Sequence, residues 1–401
     1  MPEAVIVAAA RSPIGRASKG SLVECRPDDL TVAIVRAVLA KVPQLDPDAV
    51  QDLLLGCAEP AGESGFNLAR IVAILAGMPN VPGVTVNRLC ASSLQTIRMA
   101  FHAIKSGEGD IFLAAGVETV SRFKNSMADT GFHNPLFAQA EERTSERAKG
   151  GVSTWEPPAG LPDVYIETGQ AAENIRLLEH VSRREMDEYA TLSQQRAVRS
   201  QQNGFFQREI IPIITPGGTV VNEDDGPRPG TTVEILAELK PVFRPDGEVT
   251  AGNSCPLNDG AAAVVVMSDS KARELGITPL ARIVASGISA INPEIRGLGT
   301  IEASRQALSR AGMTINDIDL VEINEDFAAQ VIPSARYLEI PWEKLNVNGG
   351  AIALGHPFGM TGARIMTTLL NSLQTADKTF GLETMCVAGG QGMAMVVERL
   401  S

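Results

Sequence analysis

Short apolar runs and amphipathic segments alternate along the first 120 residues of the chain. The apolar runs contain mainly Val, Ile, Leu and Ala and lie at 4–10, 52–57, 83–87 and 110–117. Between these runs, apolar residues recur at helical spacing at about 29–42, 66–77 and 91–106. A run that is apolar throughout is typical of a strand buried on both faces. The pattern therefore predicts an α/β fold with a mostly parallel sheet covered by helices.

A second, similar alternation occupies the C-terminal part of the chain. Strands are predicted near 280–288, 318–323, 344–348, 379–387 and 393–398, and helices near 301–312, 326–338 and 361–374. In both parts a Val-Asn pair, at 86–87 and at 347–348, ends a predicted strand. We therefore expect two copies of one folding unit.

The residues between the two copies, 122–250, are richer in Gly, Pro and charge and have few long apolar runs. Ser182 followed by Glu185 is a capping-box pattern, which predicts a helix that continues to about Asn203. The sequence thus predicts two halves and an inserted loop domain, with bounds of 1–121 continuing at about 251–275, 276–401, and 122–250 for the insert.

The charge and cysteine content of the chain limit its partners and its compartment. With 35 basic and 47 acidic residues the net charge is −12, so no general attraction to nucleic acid or to an anionic membrane is expected. No stretch approaches about 18 uncharged apolar residues, so no membrane span is predicted, and the run at 4–10 is too short for a signal peptide. Five cysteines without a Cys-x-x-Cys pair indicate neither zinc nor a disulfide framework. We expect a cytoplasmic protein with reduced thiols and no metal.

Two of the cysteines and one histidine stand where reactive groups can act. Cys90 lies where a predicted strand gives way to a helix, Cys386 lies at a strand end before a glycine-rich turn, and His356 lies in a Gly-His-Pro sequence. Each has a structural explanation when taken singly, because unpaired cysteines are often small buried hydrophobes and a loop histidine often bonds to its own turn. Together the three residues are candidates for catalysis.

Cys90 needs help from a base if it is to act as a nucleophile. The start of a helix favours a thiolate, but it typically contributes about 0.3–1 kcal/mol, whereas ionising an ordinary thiol at neutral pH requires roughly 2 kcal/mol. Of the four histidines, His102 falls on the predicted helix after Cys90, and His133 and His180 lie in polar, less regular sequence. His356 is therefore the predicted base.

Further motifs follow one another in order along the chain. They lie at 5–15, 115–121, 169–174, 250–253, 258–263, 322–327 and 355–357. Together with Cys90 and Cys386, these motifs resemble the thiolase family, the acetyl-CoA acyltransferases, over essentially the whole chain. A single motif of this kind is weakly specific, but so many in order are very specific.

The resemblance implies a fold and a set of roles. The fold would be two similar α/β halves in five layers, αβαβα, with a loop domain that covers coenzyme A. Cys90 would be the nucleophile, His356 its base, Cys386 the acid and base at the α-carbon, and Asn324 the holder of a water in one oxyanion hole. The backbone N–H groups of Cys90 and Ala388 would form the other oxyanion hole. Coenzyme A would be a substrate without a tightly bound cofactor, and the chain would form a homodimer or homotetramer.

The resemblance also implies contacts to the substrates. Arg228 would lie near the CoA nucleotide, although a solvated loop arginine explains it equally well. Ser254, Cys255 and Phe327 would contact the CoA arm or the acyl group, and Thr168 and Arg296 stand where the family often has methionines that line the acyl pocket. Several positions depart from the usual pattern: Ser93, Cys255, Asp326, Ala388, Thr168 and Arg296.

Arg296 and Thr168 motivate the hypothesis that the acyl chain is longer or polar, possibly carboxylated. The alternative is that Arg296 points to solvent or pairs with Glu294 or Asp326. Two other functions stay open at this point. The departures are compatible with an inactive, thiolase-like CoA- or lipid-binding protein, although the catalytic residues are retained. A decarboxylating condensing enzyme is disfavoured by Cys386 and by the single Gly-His-Pro.

Overall fold

The structure is a computed structural model that describes residues 2–401. Its strands are β1 (Ala4–Arg11), β2 (Gly15–Arg16), β3 (Asp52–Gly56), β4 (Gly83–Val86), β5 (Ile111–Thr119), β6 (Ile213–Ile214), β7 (Val220–Val221), β8 (Asn258–Ser268), β9 (Ala281–Ala290), β10 (Leu320–Ile323), β11 (Phe380–Val387) and β12 (Gln391–Arg399). Its α-helices are α1 (Pro27–Ala40), α2 (Leu68–Leu75), α3 (Ser92–Ser106), α4 (Ala138–Ala148), α5 (Thr168–Leu178), α6 (Arg183–Gln202), α7 (Val233–Ala237), α8 (Asp269–Glu274), α9 (Gly299–Ala311), α10 (Ala328–Tyr337), α11 (Ala351–Leu354) and α12 (Thr361–Thr375).

The two halves share one strand order. In the first half the order is β4-β3-β5-β8-β1, with β3 parallel to β4 and β5 and the pairs β5–β8 and β8–β1 antiparallel. In the second half the order is β10-β11-β12-β9, with β10 parallel to β11 and the other two pairs antiparallel. Leu345 adds a parallel bridge to Val321 of β10, at the place that β4 occupies in the first half. The predicted repetition is thus a repetition of topology.

Three sequence predictions about the sheet are corrected. The sheet is mixed rather than mostly parallel, because β8 and β12 run against both of their neighbours. The buried strand β8 was not predicted as a strand at all. The strand expected at 344–348 is reduced to one bridge, since Asn346 has a positive φ of 44° and its side-chain amide bonds to both the N–H and the C=O of Ile323. Lys344 and Asn346 each make one backbone bond to Val321, and beyond them this amide takes the place of further backbone bonds.

Helices divide the molecule into five layers. Helices α1 and α2 pack on the outer face of the first sheet, and α9 and α10 belong to the core outside the second sheet. Helices α3 and α12 pack against each other between the two sheets, in a third core that includes Leu94 and Met366. The sheets are joined edge to edge where β1 pairs with β9, at Val5 with Arg282 and at Ile6 with Ala281. The predicted αβαβα layering is confirmed.

The segment 122–250 carries α4 to α7 and the small β6–β7 hairpin. The predicted capping box is confirmed, because Ser182 and Glu185 each bond to the other's backbone N–H and α6 ends at Gln202. Arg11 of β1 ties this segment to the first sheet through ion pairs with Glu209 and Asp224. Within residues 2–401, every helix is too short or too polar to cross a membrane.

Candidate active site

A tightly bonded turn holds Cys90 in front of α3. Cys90 lies in a 3-10 turn, Leu89–Ala91, between the end of β4 and the first residue of α3. Ser92 Oγ accepts the N–H of Arg88 and donates to Leu89 O, and Asn87 Oδ1 accepts the N–H of Leu89, which has a positive φ of 46°. The predicted position of Cys90 between a strand and a helix is confirmed, and its side chain is buried.

Burial keeps Cys90 in the thiol form. Burial first, and then the negative charge of Asp326, raise the pKa of the Cys90 thiol to about 11. The charge of Arg296 and the backbone N–H groups of Ala388 and Cys90 act in the opposite direction without reversing the shift. The start of α3 therefore does not by itself supply a thiolate, and attack by Cys90 requires removal of its proton in the reaction.

Hydrogen bonds fix the tautomer of His356. The Thr361 hydroxyl donates to Pro357 O at 2.8 Å, and His356 Nδ1 lies 2.7 Å from the same hydroxyl. Because one hydroxyl proton cannot serve both bonds, Nδ1 carries the imidazole proton and donates it to Thr361. Nε2 is then left with a lone pair, and it lies 3.3 Å from Asn324 Nδ2. This imidazole is set to accept a proton at Nε2.

The surroundings of His356 keep it neutral. Burial lowers the pKa of His356 to about 4, and the charge of Asp326 only partly opposes this effect. The His356 backbone N–H donates to Asn258 Oδ1 at 3.0 Å, which fixes the loop to the start of β8. Asn324 Oδ1 is buried and has no hydrogen-bond partner within residues 2–401, so it is available to a small polar group. Asn324 and His356 thus form one polar patch in an otherwise buried site.

Asp326 lies among three thiols and a guanidinium. Its carboxylate forms an ion pair with Arg296 and accepts hydrogen bonds from Cys255 Sγ at 3.3 Å and from Cys386 Sγ at 3.8 Å. Arg296 Nη1 in turn donates to Cys386 Sγ at 3.8 Å. Burial would raise the pKa of Asp326, but the Arg296 guanidinium outweighs it and the pKa of this carboxyl is lowered. Arg296 and Asp326 are therefore both charged at neutral pH.

The charge of Asp326 acts on every candidate catalytic group that titrates. Burial raises the pKa of Cys386, and Asp326 adds to this effect while Arg296 opposes it. Asp326 also raises the pKa of Cys90 and opposes the lowered pKa of His356. Of the alternatives that the sequence left open for Arg296, the structure shows the pairing with Asp326.

Ala388 and the turn after it close the site at the end of β11. Within residues 2–401, Ala388 is not among the non-glycine residues with positive φ, whereas Gly389 and Gly390 have φ values of 72° and 80°. The backbone at Ala388 therefore accepts a Cβ, and its N–H lies where it lowers the pKa of the Cys90 thiol. The two glycines supply the left-handed conformations that the turn needs.

Glu118 is a site residue to which sequence reasoning gave no role. Its buried carboxylate, at the end of β5, accepts the backbone N–H groups of Ala58, Glu59 and Gly359. Burial raises the pKa of Glu118 to about 7 although these three N–H groups oppose the shift. Glu118 thereby connects the loop that follows His356 to the first half of the molecule.

A large groove approaches the site from one side. It has a volume of about 480 Å³ and is lined by Arg16, Arg228, Gly252, Cys255 and Ile352, among others. Cys255 thus borders the groove while its thiol bonds to Asp326. Ser254, by contrast, is buried and its hydroxyl donates to Thr250 O at 2.7 Å, so it is not part of the groove lining. Arg228 and Cys255 therefore line the same groove, whereas Ser254 does not line it.

A much smaller gap lies on the other side of the ion pair. Thr168, Arg296, Asp326, Phe327 and Cys386 line it, with Gln330 and three apolar residues of α5. Unlike the groove, the gap is too narrow for a water molecule. Thr168 and Arg296, predicted to border an acyl pocket, therefore lie together beside Cys386. The other three histidines, His102, His133 and His180, lie on the exposed or partly exposed surface.

Comparison with known proteins gives a consistent family assignment. The family model described as Thiolase, N-terminal domain, matches residues 4–270, and that described as Thiolase, C-terminal domain, matches residues 277–399. A 3-ketoacyl-CoA thiolase of Aeromonas hydrophila is 42% identical over 100% of both chains. A 3-oxoadipyl-CoA/3-oxo-5,6-dehydrosuberyl-CoA thiolase of Escherichia coli strain K12 is 40% identical with the same coverage.

A solved structure extends the similarity to the fold. The crystal structure of the Bacillus anthracis acetyl-CoA acetyltransferase superposes with a TM-score of 0.84 at 34% identity, and the match covers 100% of this chain and 99% of that chain. The two family models, the full-length relatives and the shared fold show that this chain belongs to the thiolase family.

Proposed function

We propose that this thiolase cleaves a 3-ketoacyl-CoA with coenzyme A, giving acetyl-CoA and an acyl-CoA shortened by two carbons, and that it also catalyses the reverse condensation. The observation that carries the mechanism is the fixed tautomer of His356, because Nε2 has a lone pair next to Asn324 in a buried site that also contains two thiols. The full-length relatives named as thiolases support an active enzyme rather than an inactive binding protein.

In the first half-reaction the Cys90 sulfur attacks the 3-keto carbonyl, and His356 Nε2 takes the thiol proton. The oxyanion of the adduct accepts hydrogen bonds from the backbone N–H groups of Cys90 and Ala388. The bond between the α- and β-carbons then breaks, and its electron pair forms the enolate of acetyl-CoA. Cys386 protonates this enolate, leaving a thiolate at Cys386, a cationic His356 and an acyl thioester on Cys90.

The second half-reaction restores the protonation states. The Cys386 thiolate removes the thiol proton of the incoming coenzyme A, whose sulfur attacks the Cys90 thioester. The Cys90 sulfur leaves and takes the proton held by His356. The Cys90 thioester oxygen stays on the backbone N–H groups of Cys90 and Ala388 in this step, whereas Asn324, either directly or through a water held by its side chain, supports the enolate oxygen of acetyl-CoA in the first half-reaction. Each group ends as it began, so the scheme requires no metal or tightly bound cofactor.

We assign the groove to coenzyme A. Arg228 and Arg16 border it and bring positive charge to a protein of net charge −12, as a polyanionic substrate needs. Cys255 borders the inner part of the groove, where it would contact the pantetheine arm. We further propose that segment 122–250 serves as the loop domain over this substrate, that the chain forms a homodimer or homotetramer, and that it acts in the cytoplasm, in the breakdown of fatty or related acyl chains.

The first test is CoA-dependent thiolysis of acetoacetyl-CoA and 3-ketooctanoyl-CoA, followed by the loss of the enolate absorbance. We expect wild-type protein to consume at least one substrate and Cys90→Ser to consume neither, because the serine hydroxyl is a far weaker nucleophile. Circular dichroism of the variant controls for folding. Absence of thiolysis by folded wild-type protein with both substrates would contradict the proposal.

A further inference from the structure

The Arg296–Asp326 ion pair separates the large groove from the small gap. Cys255, which bonds to Asp326 Oδ1, borders the groove, whereas Arg296 and Cys386 border the gap. With the CoA part of a substrate in the groove, as proposed above, an acyl group that extends past Cys386 enters the gap. The pair lies directly in that path.

The pair is firmly held in its present position. The side chains of Arg296 and Asp326 are only 3% and 5% exposed. Separating two buried charges of this kind leaves each of them unpaired and is strongly unfavourable. An acyl chain that reached the position of the Arg296 guanidinium would have to displace it from Asp326. The gap offers no alternative route, since it is too narrow even for a water molecule.

The polarity of the gap also disfavours an alkyl chain. Arg296 Nε and Gln330 Oε1 are buried and have no hydrogen-bond partner within residues 2–401, and both residues line the gap. An alkyl terminus placed against them would provide a partner for neither the donor nor the acceptor. A substrate carboxylate is not favoured either, because Asp326 already neutralises the guanidinium.

We propose that the Arg296–Asp326 pair is a specificity determinant that closes the acyl side of the site and confines this enzyme to short acyl groups. The inference rests on the proposed thiolase reaction and specifies its substrate class. It differs from the expectation drawn from sequence, a longer or carboxylated chain, because the structure gives Arg296 a carboxylate partner within the chain.

The test compares kcat/KM for acetoacetyl-CoA and 3-ketooctanoyl-CoA in wild type and in the double variant Arg296→Met with Asp326→Ala. The kcat/KM of wild type should be at least about tenfold higher for acetoacetyl-CoA than for 3-ketooctanoyl-CoA. The fit of a few methylenes in a pocket changes kcat/KM by at least that factor. The double variant removes both charges together and should shift this ratio at least about tenfold towards the longer substrate. The ratio of the two kcat/KM values is informative because an effect on the chemistry at Cys386, which both substrates share, cancels in it.

A matched control removes an ion pair elsewhere. Arg282→Met with Glu398→Ala breaks a contact on the edge of the second sheet and should leave the substrate ratio unchanged. If wild-type protein cleaves the eight-carbon substrate as fast as the four-carbon one, the inference fails while the proposed function stands, whether or not the double variant folds. If wild type cleaves neither substrate, the proposed function itself fails. An unchanged ratio in a folded double variant would also overturn the inference.

Discussion

At the scale of single residues, Cys90 and His356 are both uncharged at neutral pH, which agrees with the expectation that the helix start alone does not ionise the thiol. The helix start in front of Cys90 was expected to favour a thiolate, but burial and Asp326 raise the pKa of Cys90 to about 11, and burial lowers the pKa of His356 to about 4. At neutral pH the pair is therefore thiol and imidazole, rather than thiolate and imidazolium. The proposed nucleophile and base were selected from motifs, but their charge depends on burial, which local sequence does not report.

These charge states predict the pH dependence of Cys90 alkylation. The thiolate is the reactive form, and below the pKa its fraction rises about tenfold per pH unit. The rate of iodoacetamide modification of the Cys90 peptide, measured by mass spectrometry, should thus keep rising from pH 6 to pH 9.5. A small-molecule thiol with a pKa near 8.5 should level off within this range and serves as the reference. A plateau for Cys90 near pH 7 would instead indicate a thiolate–imidazolium pair.

At the scale of elements, the first residue of α12 fixes the tautomer of the His356 imidazole. Thr361 Oγ1 accepts a hydrogen bond from His356 Nδ1–H and donates a hydrogen bond to Pro357 O. The helix start thereby selects the tautomer of His356. The role of His356 could be predicted from the Gly-His-Pro motif, whereas the role of Thr361 could not, because no spacing rule connects a helix N-terminus with a preceding loop side chain.

Replacing Thr361 with valine should lower kcat/KM at least about tenfold, because Nδ1 loses its acceptor and the reactive tautomer is no longer selected. Thr361→Ser retains the hydroxyl and should restore most of the activity. The loss is expected in kcat rather than KM, since Thr361 is not part of the groove. Steady-state kinetics with acetoacetyl-CoA measures both. Equal losses in the valine and serine variants would point to a packing effect and exclude the proposed hydrogen-bond role.

Much of the secondary structure was predictable, but strand β8, the outcome at 344–348 and the direction of strand pairing were not. Helix and strand positions followed from apolar spacing, and the start of α6 followed from the Ser182–Glu185 capping box. The direction of strand pairing did not, because β5 lies beside β8 across more than a hundred residues of sequence. The expected strand at 344–348 is shortened because, beyond the backbone bonds of Lys344 and Asn346 to Val321, the Asn346 side chain rather than further backbone bonds to the neighbouring strand.

At the scale of the whole molecule, Arg11 connects the inserted segment to the core. Its fully buried guanidinium donates to Glu209 at 2.7 Å and to both oxygens of Asp224 at 2.7 and 2.9 Å. Asp224 also accepts the N–H of Ile14, so the contact fixes the end of β1 and the loop that follows it. The ion pairs span some two hundred residues of sequence, and nothing in the local pattern around Arg11 indicates them.

Arg11→Met should lower the free energy of unfolding by about 3–5 kcal/mol, because it leaves two buried carboxylates without their cation. Urea unfolding followed by circular dichroism measures the change. Arg26→Met is the control, since Arg26 pairs with Asp28 at the surface and its loss should change stability by less than about 1 kcal/mol. Similar midpoints for Arg11→Met and wild type would show that the buried cluster contributes little.

The shared strand order of the two halves has a consequence for the reaction. Cys90 follows β4, the fourth strand along the chain, and precedes α3, whereas His356 follows the Leu345 bridge and precedes α12. The proposed nucleophile and the proposed base therefore occupy corresponding positions of the two copies, and α3 packs against α12. An assembly of two identical half-length chains would place two thiols or two imidazoles at this meeting point. One chain with two unlike copies provides one of each.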